Sequence, residues 1–241
     1  MLSDFAAAAA TPTAALVTLA LPADHDVAWI EAVYAGLRKV ARRWNVAIVG
    51  GETTTCPERT VISVAAVGTV AKDRTVRRSG AQPGDALFVS GELGGSLEGR
   101  HLDFEPRLAE SRWLADHTRI HAMIDLSDGL AGDLRHLLAA SRVGAELFQD
   151  SIPISRAAKL RARRGDNAKP ALLAALTDGE DFELLFAIAS RDAVPVLDAW
   201  RAHFPQVRLT CVGRIVAQPG LRLRHRQGLR ELPAHGYVHF A

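Results

Sequence analysis

Cysteine is almost missing from this chain. The two present, Cys56 and Cys211, are far apart and form no C-x-x-C pair. No disulfide framework or zinc site can be read from them, and unpaired thiols suit a reducing compartment, so the expected location is the cytoplasm. Long apolar runs are missing as well. The alanines of 6–10 follow Asp4 with no basic residue before them, which is not a secretory leader, and no stretch approaches the roughly 20 residues that a bilayer span needs. Charge of one sign is also lacking. Lys and Arg number 29 against 27 Asp and Glu, and the resulting +2 does not mark a nucleic-acid binder. No H-E-x-x-H, G-x-S-x-G or G-x-G-x-x-G occurs, and the histidines show no ligand spacing. Residues 94–101 carry the glycine spacing of a P-loop, but Arg100 and His101 occupy the lysine and Ser/Thr positions.

The remaining composition is that of an ordinary folded protein, 48% hydrophobic and 23% charged. At 241 residues, roughly 70–75% of the unfolded chain's surface can be buried, in one large domain or two small ones. Apolar strands alternate with amphipathic helices, which predicts an α/β (α+β) fold. Ser3 to Ala10 reads as a helix stopped at Thr11-Pro12, and Ala14 to Leu21 as a buried strand. Val27 to Trp44 reads as a helix with Ile30, Val33, Leu37 and Val40 on one face. Val46 to Val49 and Thr60 to Val70 read as strands. The turn-rich, charged stretch Lys72 to Asp85 predicts a boundary between a domain at 1–71 and another at 72–241. The second domain has expected strands at Ala86 to Val89, Gly144 to Phe148, Leu184 to Ala189 and Val207 to Val216. Its helices are expected at Arg107 to Ala115, Ala157 to Arg164 and Asp192 to His203, with a hairpin turning near Gln227-Gly228.

Chemistry concentrates where glycine meets acid. Met123 to Leu130 runs from an apolar strand through Asp125, Ser127, Asp128 and Gly129 into leucines at helical spacing; Ser127 is the expected N-cap, with Asp128 and Gly129 in the first turn. Such a junction offers carboxylates to a divalent cation and free N–H groups to phosphate oxygens. Gly50-Gly51-Glu52-Thr53 and Asp178-Gly179-Glu180-Asp181 repeat the combination at other strand ends, and Asp4 adds an acid to the first helix. Any one of these is more often a plain turn; together they point to a phosphate–metal site. Aromatic residues make up only 6% of the chain, and its two tyrosines, Tyr34 and Tyr237, offer either core packing or a stacking surface for a ring. Arg78 offers a guanidinium to phosphate or is a solvated linker charge. The basic clusters Arg156 to Arg164 and Arg222 to Arg226 read as solvated faces, so no nucleic-acid partner is expected, and no membrane.

Taken in order, Leu2 to Ala7, Gly50-Gly51-Glu52-Thr53, Arg78 to Asp85, Asp125-Leu126-Ser127-Asp128-Gly129-Leu130, Gly179-Glu180-Asp181-Phe182-Glu183-Leu184-Leu185-Phe186 and Gly236 to Phe240 resemble the thiamine-monophosphate kinases. That family lies in the ATP-binding superfamily of aminoimidazole ribonucleotide synthetase, and the matching pieces cover essentially the whole chain. The resemblance implies a two-domain architecture, an N-terminal α/β dimerisation domain followed by a C-terminal α/β sandwich, acting as a homodimer. It also implies Mg²⁺-assisted transfer of the γ-phosphoryl group of ATP to thiamine monophosphate, with no covalent nucleophile. By the same resemblance Asp4, Glu52, Asp125 and Asp128 ligate Mg²⁺, and Tyr34, Gly51, Glu52, Arg78 and Ser127 contact ATP. Glu180 and Tyr237 hold the thiamine moiety. The family often has aspartate at Glu52 and Met-Gly at Ala8-Ala9. Its leading metal-binding segment has no counterpart here, so the N-terminal domain is expected to be partial. The alternatives are a nucleotide-binding remnant without turnover, or another ATP-using member of the superfamily.

Overall fold

A computed structural model describes residues 1–72, 74–165 and 167–232. The first sheet has three strands in the order β2-β1-β3, comprising β1 (Thr11–Leu21), β2 (Ala47–Thr55) and β3 (Val61–Thr69). β1 is central, parallel to β2 and antiparallel to β3. Its odd-numbered residues Val17, Leu19 and Leu21 are buried beneath Ile30, Tyr34 and Leu37 of helix α2 (Val27–Arg43), with Ile48 and Val64 completing the cluster. The period of two in the strand and of nearly four in the helix thus meet on one surface. Asp26 caps α2, its Oδ1 accepting from the Ala28 N–H at 2.9 Å. On the opposite face Leu16 and Val67 are exposed, with Val49 at its margin.

β1 begins at Thr11 rather than Ala14. Pro12 is tolerated in this central strand because it lies where only β3 is paired; β2 joins from Ala14 onward. The strand read at Val46 to Val49 likewise runs on through Gly50-Gly51-Glu52 to Thr55, so that motif lies inside β2 and is not a strand-end loop. A Cβ on Gly51 would lie 1.7 Å from the Val17 carbonyl oxygen, which explains the glycine as a close backbone approach.

The second sheet has seven strands in the order β10-β9-β6-β8-β4-β7-β5. They are β4 (Ala86–Ser90), β5 (Ile120–Asp125), β6 (Gly144–Phe148), β7 (Leu184–Ile188), β8 (Leu209–Val216), β9 (Gly220–His225) and β10 (Gly228–Glu231). All neighbours are antiparallel except β6 and β9. Helices α4 (Leu130–Ser141) and α6 (Ala171–Thr177) supply Leu130, Leu134, Leu137 and Ala175 to one face. The other face is packed by α3 (Leu108–His117), α7 (Ala193–His203) and the first helix α1 (Leu2–Ala7). Being covered on both sides, β4 and β7 are apolar at nearly every position, with Phe88 and Phe186 stacked at 5.5 Å. Each buried ring contributes on the order of 2–3 kcal/mol. Helix α5 (Arg156–Arg161) is capped by Ser155, whose Oγ accepts from the Ala158 N–H.

Helix α1 packs against the second sheet although it precedes the first. Ala6 is buried beside Phe88, Met123 and Phe186, and the Ser111 hydroxyl donates to the Ala6 carbonyl. The charged linker also follows the second sheet: the Met123 N–H donates to the Arg77 carbonyl at 2.9 Å, covering the edge of β5.

Candidate functional site

The site is built on the end of β5. Asp125 is the last residue of that strand and is 7% exposed, and its Oδ2 accepts from the Ser3 hydroxyl at 2.6 Å. Burial raises the Asp125 pKa above the ordinary carboxylate range, and the nearby Asp4 charge adds to the rise while the Ser3 bond opposes it. Asp4, Arg78 and Asp125 line one open cleft of about 180 Å³, floored by Met123 and Ile124. Helix α1 places Asp4 there, the strand end places Asp125, and the linker lying along β5 places Arg78. Three expected site residues from three separate segments therefore converge.

Beyond Asp125 the backbone differs from the sequence reading. Helix α4 starts at Leu130, its N-cap is Gly129 with φ of 99°, and Ser127 and Asp128 lie in the preceding loop, so Ser127 does not cap the helix. The cause is Asp133, which sequence reasoning passed over. Its buried carboxylate reaches back from the first turn to accept the Asp128 N–H at 2.9 Å and also the Ser127 N–H. Burial first, then the Asp128 and Asp125 charges, push Asp133 up to about 7 against those bonds. An acid in the first turn of a helix was the available signal.

The Gly179 to Glu183 segment lies against this loop. The Glu180 N–H donates to the Ser127 carbonyl and the Phe182 N–H to the Leu126 carbonyl, both at 2.8 Å, and the Leu126 N–H donates to the Glu183 carbonyl at 2.9 Å. A Cβ on Gly179 would lie 2.5 Å from the Ser127 carbonyl, so the two motifs interlock through a glycine. The other acids of this segment turn inward and away from any ligand role. Asp178 is pinned by Lys169 at 2.6 Å, by Arg161 and by the Gly95 N–H. Burial would raise its pKa, but these partners hold it below the usual range. Asp181 is enclosed and accepts the Gly94 N–H at 3.0 Å and the Ser96 hydroxyl. Burial raises it to about 6 despite those bonds. Glu183 is enclosed with Arg107 at 2.7 and 2.8 Å, Arg100, and the Ser90 hydroxyl at 2.6 Å. Burial acts to raise Glu183, yet the two guanidinium groups keep it ionised, below the usual range. Arg100, which stands at the lysine position of the P-loop-like spacing, thus serves an internal ion pair.

The remaining expected residues lie elsewhere. Glu52 is exposed on β2 opposite Thr18, and Gly51 stands opposite Val17. Tyr34 is half-buried in the cluster beneath α2. None of the three lines the cleft at Asp125. Tyr237 lies outside the described residues. No group of three or more His, Cys, Asp or Glu side chains fit to hold a metal ion occurs among the described residues.

Residues 1–70 match the AIR synthase related protein, N-terminal domain, and residues 90–226 the AIR synthase related protein, C-terminal domain. Thiamine-monophosphate kinase from Rhodopirellula baltica is 43% identical over 240 residues, covering 99% of this chain and 73% of that protein. The Escherichia coli K12 thiamine-monophosphate kinase is 33% identical, covering 100% of this chain and 77% of the relative. The crystal structure of the Stenotrophomonas maltophilia thiamine-monophosphate kinase superposes with a TM-score of 0.80 at 33% identity, over 92% of this chain and 75% of that one. AaThiL complexed with AMPPCP and TMP superposes with the same TM-score, 0.80, at 29% identity, over 99% of this chain and 77% of that one. The Escherichia coli hydrogenase maturation protein HypE shares the fold, with a TM-score of 0.78 at 21% identity, over 96% of this chain and 78% of that one. The chain belongs to the thiamine-monophosphate kinases of the AIR-synthase-related family.

Proposed function

We propose that this chain catalyses ATP-dependent phosphorylation of thiamine monophosphate to thiamine diphosphate. An oxygen of the thiamine monophosphate phosphate attacks the γ-phosphorus of ATP, the bond to the β,γ-bridging oxygen breaks, and ADP leaves. The observation that carries this reading is the cleft where Asp4, Asp125 and Arg78 meet, bonded through Leu126 and Ser127 to the Gly179 to Glu183 segment. Phosphoryl transfer asks little covalent work of a protein; it needs the two phosphates held in line and their charge neutralised. Arg78 provides a guanidinium suited to phosphate oxygens. The loop Ser127-Asp128, held by Asp133, fixes the backbone beside Asp125.

The support for Mg²⁺ is a pair of carboxylates, Asp4 and Asp125, on one cleft. Asp4 and Asp125 are hard oxygen ligands on one cleft, and burial together with Asp4 disfavours the charged form of Asp125, so a divalent cation is the matching counter-charge. We assign Asp4 and Asp125, which line the cleft, as its ligands, and by family resemblance alone Asp128 and Glu52, which do not line it. Bound there, Mg²⁺ supplies charge neutralisation at the meeting phosphates. Tyr34, Gly51, Glu52, Arg78 and Ser127 are assigned to ATP, and Glu180 and Tyr237 to the thiamine moiety. The division at residues 1–71 and 72–241, a homodimer joined through the first sheet, and action in the cytoplasm complete the reading. The uncovered face of that sheet, with Leu16, Val49 and Val67 at 49, 63 and 66% exposure, supports the dimer.

The test is thiamine diphosphate formation by the purified chain with Mg-ATP and thiamine monophosphate. Turnover is expected, and Asp125→Asn is expected to lower kcat by about 10²-fold or more with the melting temperature retained. Nucleotide binding without turnover in the wild type would identify a remnant that has kept only its ATP site.

A further inference from the structure

The rings of Phe104 and Phe182 stack with centroids 4.2 Å apart and planes inclined by 24°. This pair differs from the buried one at Phe88 and Phe186, where both rings are fully enclosed; Phe104 and Phe182 each keep part of their surface in solvent. Leu102, two residues before Phe104, is 81% exposed, so the loop presents apolar surface outward. The backbone beneath the pair is strained. Phe182 has φ of 50° and Glu180 φ of 56°, a left-handed conformation that costs about 1–3 kcal/mol in a non-glycine residue and persists only where neighbours impose it.

Here the neighbours do impose it. Asp181 and Glu183, on either side of Phe182, are enclosed and held by Gly94, Ser96, Arg100 and Arg107. Burying two flanking side chains while the main chain bonds to Leu126 and Ser127 leaves Phe182 only half-buried on the same segment as Glu180. The loop carrying Phe104 is fastened to the same carboxylate at both ends, since Arg100 and Arg107 both bond Glu183. The stacked pair is therefore fixed relative to the end of β5, where Leu126, which bonds Phe182, directly follows Asp125.

From this geometry we infer that Phe104 and Phe182 form the aromatic wall of the acceptor subsite, against which the cationic heterocycle of the phosphorylated acceptor rests. A π face attracts such a cation, and Glu180 on the same segment adds negative charge. The inference rests on the kinase reading and names residues that set its acceptor specificity.

Steady-state kinetics of the full chain tests it. Phe104→Ala is expected to raise KM for thiamine monophosphate about tenfold while KM for ATP stays unchanged. Phe104→Leu, which keeps apolar volume without a π face, is expected to show the same rise, and Phe104→Tyr to restore the wild-type value. A thiamine monophosphate KM within twofold of wild type in the Ala and Leu variants, or equal shifts in both KM values, would overturn the wall. If the wild-type chain forms no thiamine diphosphate, the kinase reading falls by itself. Calorimetric titration with thiamine monophosphate then decides the inference separately: weaker binding by Phe104→Leu than by wild type sustains it, and equal or absent binding removes it.

Discussion

Asp181 and Glu183 stand two residues apart, both enclosed, and their pKa values shift in opposite directions. Glu183 meets two arginines and stays ionised; Asp181 meets N–H and O–H donors and a more distant Arg100, so burial prevails and its pKa rises to about 6. A carboxyl whose folded pKa lies above its unfolded value holds its proton more tightly when folded. Its effect on stability is therefore favourable at low pH and is lost as pH rises through the window from about 4 to about 6. Asp181→Asn should remove that slope. Urea unfolding at pH 4.5 and pH 7.5 is the measurement, and the variant should gain about 2 kcal/mol relative to wild type between the two. A parallel pH dependence in both proteins would show Asp181 to be ionised throughout. At this scale the sequence was legible as chemistry and not as role. Gly179-Glu180-Asp181 reads as one acidic loop, yet two carboxylates of the Asp178 to Glu183 segment besides Asp181 are paired internally with Lys169, Arg161, Arg100 and Arg107, partners up to 83 residues away in the chain.

At the scale of elements, the loop between the two 3₁₀ turns after Gly95 and helix α3 depends on one buried carboxylate. Arg107 and Arg100 anchor it to Glu183 at the start of β7. Removing one partner of a buried pair is far worse than removing both, because the remaining charge is left with too little compensation. Arg107→Met should lower stability by about 3 kcal/mol at neutral pH. The midpoint of urea unfolding should fall with unchanged m-value, and a shift below about 0.5 kcal/mol would mean that Arg100 and Ser90 alone satisfy the carboxylate. The helices and strands themselves were mostly readable, because their apolar periods survive in one dimension. Helix α6 has no counterpart in the sequence reading, and the other differences lie at element ends. Glycines at 50 and 51 suggested a stop, but β2 continues because Val17 closes onto Gly51 from the neighbouring strand. Ser127 suggested a cap, but Asp133 takes the loop's N–H groups from within the helix.

The whole molecule is two sheets with helix α1 bridging them through Ser3, Phe5 and Ala6. Ser3 bonds Asp125, Ala6 accepts from Ser111, and the Phe5 ring would meet a Cβ on Gly68 at 2.5 Å. Within residues 1–71, the first helix contributes to the core of the second sheet. The free face of the first sheet is the molecule's largest-scale expectation. If it joins two copies, the chain should sediment at twice its 25.9 kDa mass, and Leu16→Asp, at the centre of that face, should give a monomer. A wild-type monomer would leave that face to some other use.

By itself the sequence determined which segments become strands and helices, because burying an apolar stripe of the right period is a local requirement. It also determined the inventory of carboxylates and glycines that a phosphate site needs, and a resemblance strong enough to place the family. Only the tertiary structure decided which acids face the cleft and which are structural. Asp4, Arg78 and Asp125 are separated by dozens of residues and meet only because α1 and the linker both dock on β5. Asp178, Asp181 and Glu183 carry the same charge in the same kind of motif, but their cationic and N–H partners arrive from other elements, and desolvation makes those partners decisive.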